Sequence, residues 1–312
     1  MRLFKFFVLR ASIGCLALAT ACEFAAAQAP EARKAKTKQA AVLPAGVRVE
    51  RDLEYARRGE QRMLLDLYLP EKPCKSPLPV VVWVHGGGWS GGSKDRCPAA
   101  YLAAEGFAVA SINYRLSQEA RWPAQIDDCR AAIQWLRQEA KSRGFDAAQV
   151  GVWGGSAGGH LVALLGTLDA PSAEATSSRV QAVCDWYGPS DLLTMPPNVL
   201  SAGKTEADLA KSNGAQLLGG IVRDRPQLAR QASALHQASA GDAPFLIMHG
   251  DEDPQVPLEQ STRLHEALTK AGVESTLEVL PGGGHGGPKF QTEEVKQTVR
   301  DFFRRTLCKK ED

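Results

Sequence analysis

One serine stands out for its setting. Gly154-Gly155-Ser156-Ala157-Gly158 is a complete G-x-S-x-G. Val150, Val152 and Trp153 before it suit a buried strand, and Leu161, Val162, Leu164 and Leu165 after it suit a buried helix. A serine on such a strand-to-helix turn takes a strained backbone, and glycines beside it let neighbouring chain pass without a Cβ in the way. The arrangement presents a nucleophilic hydroxyl. A neutral hydroxyl is a poor nucleophile, so the chemistry also needs a base, a carboxylate to orient that base, and donors for the oxygen that becomes negative when a carbonyl is attacked.

The donors are expected upstream. His85-Gly86-Gly87-Gly88-Trp89 follows an apolar run ending at Val84, and the N–H groups of Gly87, Gly88 and Ala157 are the candidate oxyanion hole. The neighbouring Gly91-Gly92-Ser93-Lys94 offers a phosphate-cradling alternative, but its spacing is not that of a P-loop and Asp95 follows the lysine. Of six histidines, His285 in Pro281-Gly282-Gly283-Gly284-His285-Gly286-Gly287 sits in a loop after a predicted strand and is the candidate base. His85 reads as a brace for the oxyanion loop, His160 as a packed residue, His249 as a support for its own loop, and His236 and His265 as cap or surface residues. Gly250-Asp251-Glu252-Asp253-Pro254-Gln255-Val256-Pro257 offers three carboxylates. Asp253 is the candidate orienting acid, with Asp251 and Glu252 assigned to capping the turn or to solvent. Ser156, Asp253 and His285 then follow one another in the order Ser, Asp, His. Trp89 and Tyr187 are candidate contacts for a sugar or an aromatic acyl group. For Trp89, simple packing beneath a cap is an equal reading.

The elements that must hold these groups alternate. A hairpin is expected around Arg57-Arg58-Gly59-Glu60, then strands at Pro79 to Val84 and Phe107 to Ile112 with a helix-length segment at Pro98 to Glu105 between them. One amphipathic helix is expected from Pro123 to about Arg143, with apolar residues at Ile126, Cys129, Ile133, Leu136 and Ala140. Strands are predicted at Val180 to Trp186, Pro244 to Met248 and Thr276 to Leu280, and helices at Leu258 to Ala271 and Glu293 to Leu307. Residues 190–237 break the rhythm and read as a small cap insertion. This is the pattern of an α/β domain, a mostly parallel central sheet with helices on both faces, over residues 46–312. Reactive groups in such sheets gather beyond the carboxyl ends of the strands.

The first residues read differently. Arg2, Lys5 and Arg10, an apolar run from Ile13 to Ala21, and Ala25-Ala26-Ala27-Gln28-Ala29 have the form of a signal peptide over residues 1–27, followed by a linker at 28–45. Secretion or a periplasmic location is expected, with no membrane span in the mature chain. Leu18-Ala19-Thr20-Ala21-Cys22 has the small residues of a lipobox but its leucine one place early, so lipid attachment at Cys22 is the lesser reading. Removing residues 1–27 from the 312 takes three basic and one acidic side chain, leaving 34 of each, so no nucleic-acid partner is inferred. Cys74, Cys97, Cys129, Cys184 and Cys308 remain, without the close pairs of a zinc site. Cys97 and Cys129 are the first candidates for a disulfide; alternatively Cys129 is a small core residue on its helix stripe.

Taken together these residues resemble the α/β-hydrolase superfamily over roughly residues 46–308. They are most similar to secreted bifunctional feruloyl/acetylxylan esterases of the hormone-sensitive-lipase-like group. The resemblance rests on His85 to Trp89, Ser111-Ile112-Asn113-Tyr114-Arg115-Leu116, Pro123 to Cys129, Gly151 to His160, Trp186-Tyr187-Gly188-Pro189 and Asp253 to Pro257. It implies a serine esterase with no cofactor and no metal, acting on short acyl or hydroxycinnamoyl esters of plant polysaccharide. An arylformamidase-like amidase, a serine peptidase and an inactive binding protein on the same fold are the alternatives.

Overall fold

The structure, a computed structural model, describes residues 43–72, 76–169 and 176–308. The expected signal peptide, most of the linker, Cys22 and Cys74 lie outside the described residues.

Eight strands form one sheet in the order β1-β2-β4-β3-β5-β6-β7-β8. They are β1 (Val47–Arg58), β2 (Gln61–Pro70), β3 (Leu78–Val84), β4 (Ala108–Ile112), β5 (Phe145–Gly155), β6 (Ala182–Trp186), β7 (Phe245–Gly250) and β8 (Ser275–Leu280). Gly59 turns the β1–β2 hairpin with a φ of 58°, where glycine carries no Cβ penalty. β2 is antiparallel to β1 and β4, and β4, β3 and β5 to β8 pair in parallel. Strands β4 and β6 are buried along their whole length, which explains their unbroken apolar runs.

Alternation along β3 divides the core. Val80, Val82 and Val84 face a layer containing α1 (Ala124–Gln138), α3 (Ala157–Thr167) and α7 (Leu258–Lys270), while Val81 and Trp83 face α8 (Glu293–Leu307) and the turn of helix at Pro98–Glu105. Helices thus cover both faces, as parallel sheets require. The same division corrects the proposed disulfide. Cys129 is packed in the first layer and Cys97 against the second, so the sheet lies between them and both are free thiols. Cys129 is fully buried, as a small core residue.

Two helical expectations change in detail. Pro98–Glu105 is 3-10 rather than α, and Gly106 ends it with a φ of 91°. The single helix expected from Pro123 is α1 followed by a separate turn α2 (Ala140–Arg143), and Pro123 stands just outside α1. Glu139, with ψ of −6°, interrupts the run and Gly144 ends it in the left-handed region. Residues 190–237 hold the short helices α4 (Glu206–Ala210), α5 (Asn213–Leu218) and α6 (Pro226–Gln231) with 3-10 turns between them. Thr205 and Ser212 cap α4 and α5 through their hydroxyls.

Because β3 and β5 to β8 run the same way, the loops after them open on one rim. His85, Ser156, Tyr187, Asp253 and His285 all follow the carboxyl ends of these strands.

Candidate active site

Ser156 sits between β5 and α3 with φ 57° and ψ −123°, a conformation that L-residues rarely adopt. The glycines around it are needed for space. A Cβ on Gly154 would enter the carbonyl of Gly158, and one on Gly158 would enter that of Val84. A Cβ on Gly86 would lie 2.7 Å from the Gly155 oxygen and 3.2 Å from Cβ of Ser156. The Ser156 N–H donates to the Trp186 carbonyl at 2.8 Å, tying the turn to the next strand.

His285 joins the hydroxyl to the carboxylate. Its Nε2 is 2.8 Å from Ser156 Oγ and its Nδ1 is 2.7 Å from Asp253 Oδ2. Asp253 Oδ1 accepts the N–H groups of Gln255 at 2.8 Å and Val256 at 3.0 Å, so the carboxylate is fixed at both oxygens. Burial alone would raise its pKa; donors from His249, His285 and the two backbone amides outweigh burial and hold it well below the usual carboxylate range. Asp251 serves elsewhere. Its Oδ1 accepts the Gly282 N–H at 2.7 Å and ties the Asp253 loop to the His285 loop.

The proposed oxyanion donors border the same space. Ala157 is the first residue of α3, where a backbone N–H has no partner within the helix. Gly87 and Gly88 have φ of 112° and 59°, and Cβ atoms there would strike the Gly91 carbonyl and the Asn213 amide. The Gly87 carbonyl accepts Ser90 N–H at 3.1 Å and Gly91 N–H at 3.0 Å, which closes the loop into a tight turn. His85 braces it: Nδ1 lies 2.8 Å from the Gly86 oxygen and the ring stacks on Tyr114 at 4.3 Å. Lys94 does not face this space. Its ammonium is buried against Asp66 at 2.6 Å and Asp52 at 2.7 Å, which removes the phosphate-loop alternative.

His160 does more than pack. Trp89 Nε1–H donates to its Nδ1 at 3.2 Å, so Nε2 carries the proton and donates to the Ala232 carbonyl at 2.7 Å. Burial lowers the pKa of this ring to about 4, keeping it neutral. One side chain on α3 therefore links the oxyanion loop to the 190–237 segment. Sequence reasoning had no means to find this, because one partner is a main-chain carbonyl 72 positions away. Trp89 is buried by the same contact yet forms part of the cavity wall. Tyr187, at φ 43°, sets its ring 4.7 Å from that of His285.

The cavity over Ser156 and His285 measures about 690 Å³. Gly86 to Trp89, Tyr187 and Pro254 to Pro257 form one part of its wall, and Met195 to Asn198, Lys204 and Asn213 from the 190–237 segment form another. Among the described residues, no group of three His, Cys, Asp or Glu is placed to hold a metal ion, and no helix is long and apolar enough to cross a membrane.

Comparison with known proteins gives a consistent picture. The BD-FAE family profile matches residues 65–268. Esterase LipC of Mycobacterium tuberculosis is 32% identical over 239 residues, which are 72% of this chain and 56% of that protein. The chain thus spans little more than half the length of this curated relative. A solved structure titled a truncated form of a carbohydrate esterase from gut microbiota is 31% identical with a TM-score of 0.72, covering 84% of this chain and 97% of its own. A bifunctional GH43-CE protein of Bacteroides eggerthii is 32% identical with a TM-score of 0.74, covering 83% of this chain and 35% of its own.

Proposed function

The chain belongs to the BD-FAE family of α/β-hydrolase esterases, and we propose that it is an exported serine carboxylesterase that removes short acyl or hydroxycinnamoyl groups from plant cell-wall carbohydrate. The observation that carries the esterase reading is the unbroken chain Ser156 Oγ, His285, Asp253 at 2.8 and 2.7 Å. In this reading His285 Nε2 takes the Ser156 proton as the oxygen attacks the ester carbonyl. The oxyanion meets the N–H groups of Gly87, Gly88 and Ala157, each worth roughly 3 kcal/mol of barrier. Asp253 holds the imidazole in place and stabilises its charged form. The alcohol leaves with the proton held on His285, and a water then repeats the sequence to free the acid and restore Ser156.

The carbohydrate part rests on the cavity wall and on likeness. Asn198, Lys204, Asn213 and Gln255 offer polar groups for hydroxyls, while Trp89 and Tyr187 offer aromatic faces. A volume of about 690 Å³ suits a sugar bearing an aromatic acyl group. Two of the similar solved structures carry carbohydrate esterase or GH43-CE in their titles. Export rests on the basic, apolar and alanine-rich pattern of residues 1–29.

The test compares acetylated xylan, methyl ferulate and aryl esters of graded chain length. Release of acetate or ferulate that ceases in Ser156→Ala supports the proposal. Turnover of simple aryl esters alone, with xylan and ferulate untouched, removes the carbohydrate part. Full turnover by Ser156→Ala removes the mechanism.

A further inference from the structure

Two imidazoles approach the same oxygen of Asp253. His249, the fully buried residue next to the end of β7, has Nε2 3.3 Å from Asp253 Oδ2 and 2.9 Å from the Val256 carbonyl. A carbonyl only accepts, so Nε2 carries the proton. In the neutral ring Nδ1, 2.7 Å from the hydroxyl of buried Ser261 on α7, is bare and accepts from it. Neutral His249 has one orientation and one tautomer that satisfy both neighbours, and in that state its N–H bonds the Val256 carbonyl while the same nitrogen stands 3.3 Å from the oxygen that also receives His285 Nδ1.

We propose that His249 is a positioning residue of the Ser156–His285–Asp253 machinery, sharing Asp253 Oδ2 with the base and so setting how strongly the carboxylate favours protonated His285. The inference rests on the esterase reading above. Its physical content is a competition. Each donor on a carboxylate oxygen draws off some of the charge that stabilises the imidazolium. With His249 in place, His285 gives up its proton more readily to the leaving alcohol. Loss of the His249 donor leaves Oδ2 to His285 alone and makes the base harder to deprotonate. The other groups facing this cluster are Asp185 at the end of β6, the Tyr187 ring 6.5 Å from His249, Ser156 and Ser261. Asp185 is fully buried close to His249, so it needs its own control.

The experiment measures kcat/KM against pH with an aryl acetate for the full chain, His249→Leu and His249→Gln, each also in an Asp185→Asn background. His249→Leu should raise the midpoint of the acid limb by about half a pH unit. It should also lower kcat roughly tenfold to a hundredfold with little change in KM. His249→Gln, which keeps an N–H donor, should return the limb toward its original position, and the shift should persist without Asp185. An unmoved limb, or a shift that vanishes in Asp185→Asn, overturns the proposal whatever the loss of rate. Nitrogen-15 histidine NMR of the unaltered protein gives a second decision that requires no His249 variant to fold. The ring must be neutral with its proton on Nε2, and that proton must move upfield in Asp253→Asn. A proton on Nδ1, or one that ignores Asp253, overturns the proposal. Absence of both turnover and Ser156 labelling in the unaltered protein would fail the esterase reading instead, and the NMR result would still stand.

Discussion

Asp253 ties geometry to charge most tightly. Three hydrogen bonds reach its two oxygens, from Gln255 and Val256 to Oδ1 and from His285 to Oδ2, and His249 Nε2 stands 3.3 Å from Oδ2. The pKa of Asp253 is held well below the usual range, so it stays ionised near neutral pH, where the proposed mechanism needs it as a carboxylate. The same depression contributes stability at pH above the unfolded carboxylate value of about 4, lost only as pH falls through the lower folded value. Asp253→Asn should keep the fold while lowering kcat by roughly 10³ to 10⁴, because the amide can present a donor and favour the wrong tautomer of His285. Steady-state kinetics beside a thermal melt checks this; near-normal kcat would deny the carboxylate its role. Ser156, Asp253 and His285 were legible because side-chain identity and chain order both carry the signal. The linking duty of His160 was not, because its key partner is the carbonyl of Ala232, which any residue could supply, whereas the reading of His249 as a support for its own loop agrees with its bond to the Val256 carbonyl.

Loops and their glycines decide whether those side chains meet. Gly86→Ala would press a methyl against the Gly155 carbonyl and Ser156 Cβ. Backbone has little freedom to yield there, so the elbow itself should shift. Because a displacement near 1 Å can cost about 10²-fold, kcat should fall at least that far, with KM changed much less. Unaltered kcat in a folded Gly86→Ala protein would show that the oxyanion loop does not buttress the nucleophile. Strands β4 and β6 were readable from their apolar runs, since burial on both faces leaves no alternation to misread. Helix detail was less readable. Apolar residues continue to Ala140, but the backbone at Glu139 breaks the run, and no residue type there announces it. Cys97 and Cys129 looked pairable for a related reason: sequence does not reveal that β-strands lie between their two helical layers.

At the level of the whole chain, one sheet gathers loops from five strands onto a single rim and buries ionisable groups beneath it. Asp185 lies under that rim, and burial raises its carboxyl to about 7, with one oxygen lacking a partner among the described residues. Unfolded chains ionise this group near pH 4, so its contribution to stability is fully present below that value and declines until pH 7. His160, lowered to about 4 by burial, acts in the opposite sense, with stability lost as pH falls from about 6.5 to 4. The two slopes offset one another in the wild type. Asp185→Asn should therefore gain on the wild type as pH rises from 4 to 7, with no further gain above 7. Urea denaturation at pH 5, 6, 7 and 8 measures this, and a gap independent of pH would contradict it. All of the proposed chemistry reduces to whether Ser156 carries an acyl group during turnover. Rapid mixing with an aryl ester, acid quench and mass spectrometry of peptides should find one acyl group per chain on Ser156, accumulating at the rate of the first product burst. Turnover with no acylated peptide, or with the acyl group on another residue while Ser156→Ala remains active, would contradict the mechanism.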